Sequence, residues 1–259
     1  MSLTEAGKTL YEGSKELLKK KAQIEKNMKD LKDYQETELT IGLSTSRGAV
    51  ILPEILPEFH SKFPKIHLRL IEGTTPEIKK ALYDGTTDIS IGFSLEDPEH
   101  VHEEKLYQER IVCCVPNAFF SGYLNNKISF QQTDTVQEFS AFSSCPFIRM
   151  PSNTWLGGIF DEYCRHLQEQ PSEVLETSSM TSMISLCTSG MGAIILPEVY
   201  VKQMKSSWDS GDWMKQVSVF TLEHPQDSSY IAVSYLKDHY LSKAARELID
   251  IVRKKMKQV

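Results

Sequence analysis

The segment LTIGLSTSRGAVILPEILPEFH (residues 39–60) changes from a strand pattern to a helix pattern within a few residues, and it is the basis of the predicted fold. Apolar residues alternate with small or polar ones from Leu39 to Leu43, as in a strand. Three hydroxyl residues follow, and apolar residues then return at helical spacing. Because proline lacks the amide hydrogen of a helical turn, Pro53 and Pro57 predict that this helix is broken or restarts near its first turns.

The same order of elements continues to Phe93. Alternating apolar residues predict a second strand over residues 66–72 and a third over residues 88–93. Between them, Thr74 is a typical helix cap, proline stands in the first turn, and Gly85 is a typical stop. Strand, helix, strand, helix, strand in this order predicts a parallel sheet with right-handed connections.

Hydroxyl side chains follow the first two predicted strands, at Ser44, Thr45, Ser46, Thr74 and Thr75. Ligands of open parallel sheets bind outside the carboxyl ends of the strands. The unpaired amides and the positive dipole end of a helix lie there, which suits an anion such as a carboxylate. The alternative is that these residues only cap helices, and a single cluster would favour it. Two clusters at the same sheet edge shift the balance towards a small-molecule site.

Composition and charge exclude several classes of protein. The chain has 259 residues, and its 35 acidic residues outnumber the 29 lysines and arginines, so the chain as it stands is not expected to grip a phosphate backbone. Its five cysteines lack paired metal-like spacing, which predicts no disulfide scaffold and favours the reducing cytoplasm. No apolar run is long enough to span a bilayer, and the amino terminus is polar and lysine-rich rather than a signal peptide.

The sequence carries no pattern typical of an enzyme, a metal site or a bound cofactor. A glycine-rich phosphate loop, a nucleophile elbow and a metal-ligand set are all absent from it. The pair His100 and His102 could ligate a metal, but a solvated loop over residues 94–104 is favoured. Cys113 and Cys114 are interpreted as small buried hydrophobes. The prediction is therefore no catalytic residue, no cofactor and no metal, although fold alone does not exclude catalysis.

The amino-terminal segment, from Leu3 to about Gln35, predicts a long helix with an apolar seam. The residues that repeat every seven positions are Leu3, Leu10, Leu17, Ile24 and Leu31. Such a seam is typical of helices that pair with a partner helix, and we expect this segment to dimerise. The alternative is that the helix packs on its own globular domain.

A second strand-helix-strand-helix-strand series runs from residue 146 to residue 197 and predicts a second lobe. The chain is expected to leave the first lobe near Arg110 and to re-enter it near Leu222, so that two connections form a hinge beside a ligand cleft. The predicted fold class is α/β, with two Rossmann-like lobes, a two-strand hinge and a long preceding helix. The predicted parts are a linker helix at 1–36, a first lobe at 37–111 that is completed by 220–259, and a second lobe at 112–219.

Short motifs, in this order and spacing, resemble those of LysR-type transcriptional regulators. They are LTEAG at 3–7, LTIG at 39–42, ILP at 51–53, FP at 63–64, DG-x-x-D at 84–88, SGMGAIILP at 189–197 and YLS-x-AA at 240–245. The first is similar to the end of that family's winged helix-turn-helix domain, and the others are similar to its effector domain. Each motif is weak alone, but together they cover essentially the whole chain.

The resemblance implies a cytoplasmic regulator, a homodimer or homotetramer, whose effector domain has the periplasmic-binding-protein fold and binds a small, anionic ligand between its lobes. Carried over by position, it implies effector contacts at Thr45, Ser46, Thr75, Phe93, Pro151, Asn153, Thr154 and Ser178. Thr74 joins them from the hydroxyl cluster. Phe93 stands where some members have a polar residue, which disfavours an extended polyanion. Arg47 and Arg149 are the candidate counter-charges, and the alternative is that both are solvated.

Two further expectations follow from the resemblance. The family's DNA-reading domain should precede Leu3, so promoter DNA would be bound by a winged helix-turn-helix that is absent from this chain. Peroxide sensing is disfavoured, because Cys145 and Cys164 flank the place of the reactive cysteine, where Thr154 and Trp155 stand. The alternative function is a cytoplasmic two-lobed solute-binding protein, which would be monomeric and would not need the amino-terminal helix.

Overall fold

The structure is a computed structural model that describes residues 3–32, 38–124, 136–165, 167, 170–207, 216–223 and 230–256. The chain divides into two compact units: unit 1 contains residues 1–107 and 230–259, and unit 2 contains residues 108–229. Mixed α/β structure is observed in both, as the sequence predicts.

The first helix, α1 (Glu5–Lys32), confirms the predicted long amino-terminal helix. Its heptad residues Leu3, Leu10, Leu17 and Ile24 are between 52% and 73% exposed. The side chain of Leu31 and residues 33–37 lie outside the described part. Where its side chains are described, the apolar seam therefore faces away from the packed core of unit 1.

Unit 1 continues with six strands and helices before the chain leaves it and two elements after it returns. These are β1 (Glu38–Leu43), α2 (Thr45–Lys62), β2 (His67–Glu72), α3 (Thr75–Tyr83), β3 (Ile89–Phe93), β4 (Val101–Gln108), β11 (Tyr230–Leu236) and α7 (Lys243–Met256). The sheet order is β2-β1-β3-β11-β4. Strand β1 pairs in parallel with β2 and β3, so the carboxyl ends of these three strands meet at one edge.

Helix α2 is continuous through both prolines, so the predicted break is wrong. Pro53 and Pro57 lie four residues apart on the exposed side of the helix, where water can satisfy the backbone carbonyls that they leave without an amide donor. The opposite side buries Ile51, Ile55 and Phe59, which are all fully buried in the core of unit 1. Burial of this apolar face outweighs the loss of two helical hydrogen bonds.

The predicted solvated loop at residues 94–104 is shorter in the structure, because β4 already begins at Val101. His102 therefore lies in a strand, where its ring packs against Tyr235 with 4.9 Å between centroids. His100 remains in the loop, and its Nδ1 lies 3.1 Å from a carboxylate oxygen of Asp97. The two histidines thus have separate partners.

Unit 2 also alternates strands and helices, but its strands form different sheets from that of unit 1. Its elements are β5 (Ile111–Pro116), β6 (Val136–Gln137), β7 (Phe147–Arg149), α4 (Trp155–Arg165), β8 (Glu173–Glu176), α5 (Met180–Thr188), β9 (Ile194–Pro197), α6 (Glu198–Ser207) and β10 (Val217–Leu222). One sheet has the order β6-β10-β5-β9, and β7 pairs in parallel with β8. A parallel bridge between Phe147 and Ala193 joins β7 to the start of β9.

The division between the units falls at 107/108 and 229/230, rather than at the predicted 111/112 and 219/220. Strand β10 accounts for the second difference. It pairs antiparallel with β5 from Val217 to Thr221, so the whole strand belongs to the sheet of unit 2. The chain returns to unit 1 only at Tyr230, where β11 begins to pair with β3.

Candidate functional site

The start of α2 provides backbone amides at the end of β1. Strand β1 ends at Leu43, and the hydroxyl of Ser44 caps the helix by accepting the amide hydrogen of Arg47 at 3.4 Å. The first turn of α2 contains no acidic residue. The positive end of the helix dipole is therefore capped by a neutral hydroxyl group, which leaves it suited to an anionic ligand.

Arg47 places a guanidinium at the same end of α2. Its side chain is only 5% exposed, so the alternative of a solvated arginine is wrong. The guanidinium carbon lies 4.9 Å from the centre of the Phe93 ring, and Nη1 donates a hydrogen bond to the hydroxyl of Tyr107 at 3.2 Å. The aromatic face and the hydroxyl restrict the orientation of the guanidinium plane.

A pocket with a volume of about 40 Å³ opens beside this guanidinium. Its lining residues come from the end of β1, from β3 and the loop after it, and from the first turns of α2 and α3; they are Leu43, Ser44, Arg47, Thr75, Ile78, Ser90, Ile91, Gly92, Phe93 and Leu95. A buried water needs roughly 10–15 Å³ of such space, so the pocket accommodates about three water-sized groups. That is the size of one carboxylate group rather than of a ring.

Only some of the effector contacts that the sequence predicts in unit 1 line the pocket. Thr75 and Phe93 line it, together with Ser44 from the predicted hydroxyl cluster. Thr45 is exposed and Ser46 is half-buried, and neither is among the lining residues. One residue per helical turn faces the pocket, so three consecutive hydroxyls cannot all do so.

Thr74 serves as a helix cap. The carboxylate of Glu77 accepts hydrogen bonds from the backbone amide and from the hydroxyl of Thr74, each at 2.8 Å. Both bonds lower the pKa of Glu77, and the bond from the backbone amide has the larger effect. Because a carboxylate already occupies the start of α3, a ligand anion is better placed at the start of α2.

A glutamate fixes the loop that forms one wall of the pocket. The carboxylate of Glu103, on β4, accepts the amide hydrogen of Leu95 at 2.6 Å and the hydroxyl hydrogen of Ser94 at 2.8 Å. It also accepts the hydroxyl of Ser234, on β11, at 3.0 Å. Leu95 lines the pocket, so Glu103 fixes the part of the β3–β4 loop that closes it.

A second, wider recess lies along α2 and β2. Its volume is about 700 Å³, and it is lined mainly by apolar residues that include Leu52, Leu56 and Leu68. The described lining contains one carboxylate, Glu72, and no lysine or arginine. The recess has room for a small molecule, but it offers no cation for an anionic ligand.

In unit 2, the predicted contact residues lie on two loops at the ends of β7 and β8. Thr154 caps α4: its hydroxyl donates to the carbonyl of Pro151 at 2.7 Å and accepts the amide hydrogen of Gly157 at 3.1 Å. Asn153 and Ser178 are exposed. Thr177 and Arg149 join the two loops, because the Thr177 amide donates to the Arg149 carbonyl at 3.0 Å.

Arg149 is also buried, with 7% exposure. The alternative that it is a solvated arginine is therefore wrong. Its guanidinium lies 2.7 Å from Asp161 and 3.0 Å from Glu173, and it donates to the hydroxyl of Ser152 at 2.7 Å. These acidic partners already balance its charge. Arg149 therefore fixes the 150–152 loop and is not a counter-charge for an anion.

All five cysteines are free, and Cys113, Cys114, Cys145 and Cys187 are buried. Burial raises the pKa of the Cys145 thiol to about 12 and that of the half-buried Cys164 to about 11, and it also raises the pKa of Cys113 and Cys187. Little thiolate, the reactive form, is thus present at neutral pH.

We therefore expect the native protein to resist thiol reagents. At pH 8, Ellman's reagent should modify Cys164 slowly and the other four cysteines only after unfolding in guanidinium chloride, because burial disfavours the thiolate. The measurement is the rate of absorbance increase with and without denaturant. Rapid modification of a native cysteine would contradict the interpretation of these residues as apolar core.

The described residues hold neither a metal-ligand cluster nor a membrane-spanning helix. They contain no group of three or more histidine, cysteine or acidic side chains that could hold a metal ion. None of the described helices is long and apolar enough to cross a membrane.

Comparison with known proteins shows the family. The model of the LysR substrate binding domain matches residues 32–257. Among curated proteins, the uncharacterized HTH-type transcriptional regulator YcgK of Bacillus subtilis (strain 168) is 20% identical over an alignment that covers all of this chain and 79% of YcgK.

Solved structures show the same fold. HinK, a LysR family transcriptional regulator from Pseudomonas aeruginosa, aligns with a TM-score of 0.67 and 19% identity over all of this chain and 82% of HinK. The effector binding domain of QuiR in complex with shikimate aligns with a TM-score of 0.61 and 18% identity over 85% of this chain and 97% of that domain. These likenesses confirm the predicted periplasmic-binding-protein-like fold.

Proposed function

Since this chain belongs to the LysR substrate-binding domain family, we propose that its effector is a small carboxylate whose charged group binds in the Arg47 pocket. The observation that carries this proposal is a guanidinium with 5% exposure that lines a pocket at the start of a helix. Relatives in this family are named as transcriptional regulators, so the chain is the effector-binding part of such a regulator rather than a solute-binding protein.

The chemistry of the pocket supports a carboxylate. Arginine presents parallel N–H groups that match the two oxygens of a carboxylate, and the hydroxyls of Ser44, Thr75 and Ser90 add further donors in the same lining. The apolar residues Leu43, Ile78 and Ile91 exclude water around that contact, which strengthens it. The described lining contains one cation, so a single carboxylate group is favoured over an extended polyanion.

The remaining effector contacts rest on the resemblance to the family. We keep Pro151, Asn153, Thr154 and Ser178 as proposed contacts for the rest of the ligand. Thr45, Ser46 and Thr74 become weaker candidates, because they do not line the pocket.

The exposed seam of α1 supports self-association. Leu10 and Leu17, one heptad apart, are 72% and 73% exposed, and a helix gains by burying such residues against a second copy. We propose that α1 makes the chain a homodimer or a larger homo-oligomer, that promoter DNA is bound through a winged helix-turn-helix, and that the protein works in the cytoplasm. In sedimentation, the double variant that carries Leu10→Glu and Leu17→Glu should be a smaller species than the unchanged protein.

A thermal-shift titration tests the ligand. We expect one or more of acetate, propionate, lactate and shikimate to raise the melting temperature in a saturable way, because binding to the folded state alone stabilises it. Acetamide, which is matched to acetate in shape but uncharged, and chloride at equal ionic strength are the controls. Equal shifts from acetate and acetamide, or no shift from any carboxylate, would contradict the proposal.

A further inference from the structure

Both points at which the chain passes between the two units are bonded to residues of the pocket. Tyr107 is the last residue of unit 1 before the chain leaves it, and Tyr230 is the first after it returns. The hydroxyl of Tyr107 accepts a hydrogen bond from Arg47 at 3.2 Å. The carbonyl of Tyr230 accepts the amide hydrogen of Ser94 at 2.9 Å, and Ser94 lies between the lining residues Phe93 and Leu95.

The two connections differ in kind. The bond between Ser94 and Tyr230 joins backbone to backbone, beside the β3–β11 pairing of Phe93 with Ile231. The carboxylate of Glu103 strengthens that connection through Leu95 and Ser234. The bond between Arg47 and Tyr107 joins two side chains, so its geometry depends on how the guanidinium is oriented.

On the basis of the proposed function, we propose that Tyr107 is a positioning residue through which an anion bound at Arg47 orders the point where the chain leaves unit 1. The five N–H groups of arginine form one rigid plane. The ring of Phe93, 4.9 Å from the guanidinium carbon, restricts the tilt of that plane, and a carboxylate bound by two parallel hydrogen bonds stops its rotation. The Nη1 hydrogen is then held towards Tyr107.

The effect of the ligand on Tyr107 is a loss of motion rather than a new contact. A site that becomes more rigid can transmit the effect of binding without a change of mean structure. Hydrogen exchange reports this increase in rigidity. The whole hydrogen bond contributes about 0.5–1.5 kcal/mol, so ordering it further can slow exchange by at most roughly two- to tenfold. The amides expected to respond are those of Gln108, Glu109 and Arg110, directly after Tyr107.

Hydrogen exchange with the unchanged protein and Tyr107→Phe tests this inference. The probe is the carboxylate among acetate, propionate, lactate and shikimate that stabilises the unchanged protein most, at saturation. In the unchanged protein it should slow exchange both at 108–110 and at 230–232. In Tyr107→Phe, which keeps the ring and loses the hydroxyl, the slowing at 108–110 should disappear while that at 230–232 remains. Tyr235→Phe removes a hydroxyl from β11 outside the pocket lining, and it should behave as the unchanged protein.

The outcomes separate this inference from the proposed function. If the carboxylate binds but 108–110 respond equally in Tyr107→Phe, or do not respond in the unchanged protein, the role of Tyr107 is refuted and the pocket stands. If Tyr107→Phe no longer binds the carboxylate, Tyr107 is part of the binding site and not a relay, which also refutes the inference. If no carboxylate binds the unchanged protein, the proposed function fails, and this inference fails with it.

Discussion

Replacing Arg47 with glutamine should weaken carboxylate binding by about 30-fold or more, while the protein stays folded. Removing one partner of a buried charge pair costs roughly 2–5 kcal/mol, and each 1.4 kcal/mol is about tenfold in affinity. Arg47 is 5% exposed and lines the pocket, so its contact with the ligand is shielded from water. Isothermal titration calorimetry with the carboxylate found by thermal shift measures the loss.

Two further variants separate the roles of charge and of hydrogen-bond geometry at Arg47. Arg47→Lys keeps the charge but loses the planar pair of donors, so its affinity should lie between those of the unchanged protein and Arg47→Gln. Arg69→Gln removes an arginine of the same unit whose side chain is 59% exposed and lies 3.6 Å from Glu38, and it should bind as the unchanged protein does. Equal losses in Arg47→Gln and Arg69→Gln would show that only the net charge matters.

Replacing Gly157 with alanine should destabilise unit 2 severely. A Cβ atom at this position would lie 2.0 Å from the carbonyl oxygen of Pro151 and 2.7 Å from that of Met150. Both are backbone atoms, so the loop at the end of β7 has to move. We expect a loss of about 3 kcal/mol or more in the free energy of unfolding, at the upper end for overpacked positions. Urea denaturation followed by circular dichroism measures it.

The neighbouring glycine is the matched control. Apart from its chain neighbours and the backbone of its own helix, a Cβ at Gly158 would have no heavy atom within 4 Å, so Gly158→Ala should be neutral or should stabilise the helix by up to about 1 kcal/mol. Helix propensity is the same for both substitutions, and only the contact with the loop differs. Similar stabilities for the two variants would contradict the close approach of α4 to Pro151.

Local signals were sufficient for the framework of unit 1. The alternation at Leu39–Leu43 lies in β1, Thr74 and Glu77 form the start of α3, and Gly85 has the positive φ of 67° that a helix stop requires. Each of these features is determined by residues within a few positions of one another. The same holds for the second series of strands and helices in unit 2.

Long-range contacts explain what the sequence could not predict. Arg47 was nominated as a counter-charge, but its burial depends on Phe93 and on Tyr107, which is 60 residues away along the chain. The continuity of α2 through its prolines depends on the core that its other side covers. The membership of β10 in unit 2 depends on its pairing with β5, about a hundred residues earlier.

A crystal structure of the protein with the carboxylate that stabilises it most would show whether the ligand binds at Arg47. We expect electron density for a carboxylate group within hydrogen-bonding distance of the Arg47 guanidinium, in the pocket lined by Ser44 and Phe93. Density for the ligand in the apolar recess along α2 and β2, with the Arg47 pocket containing only water, would contradict it.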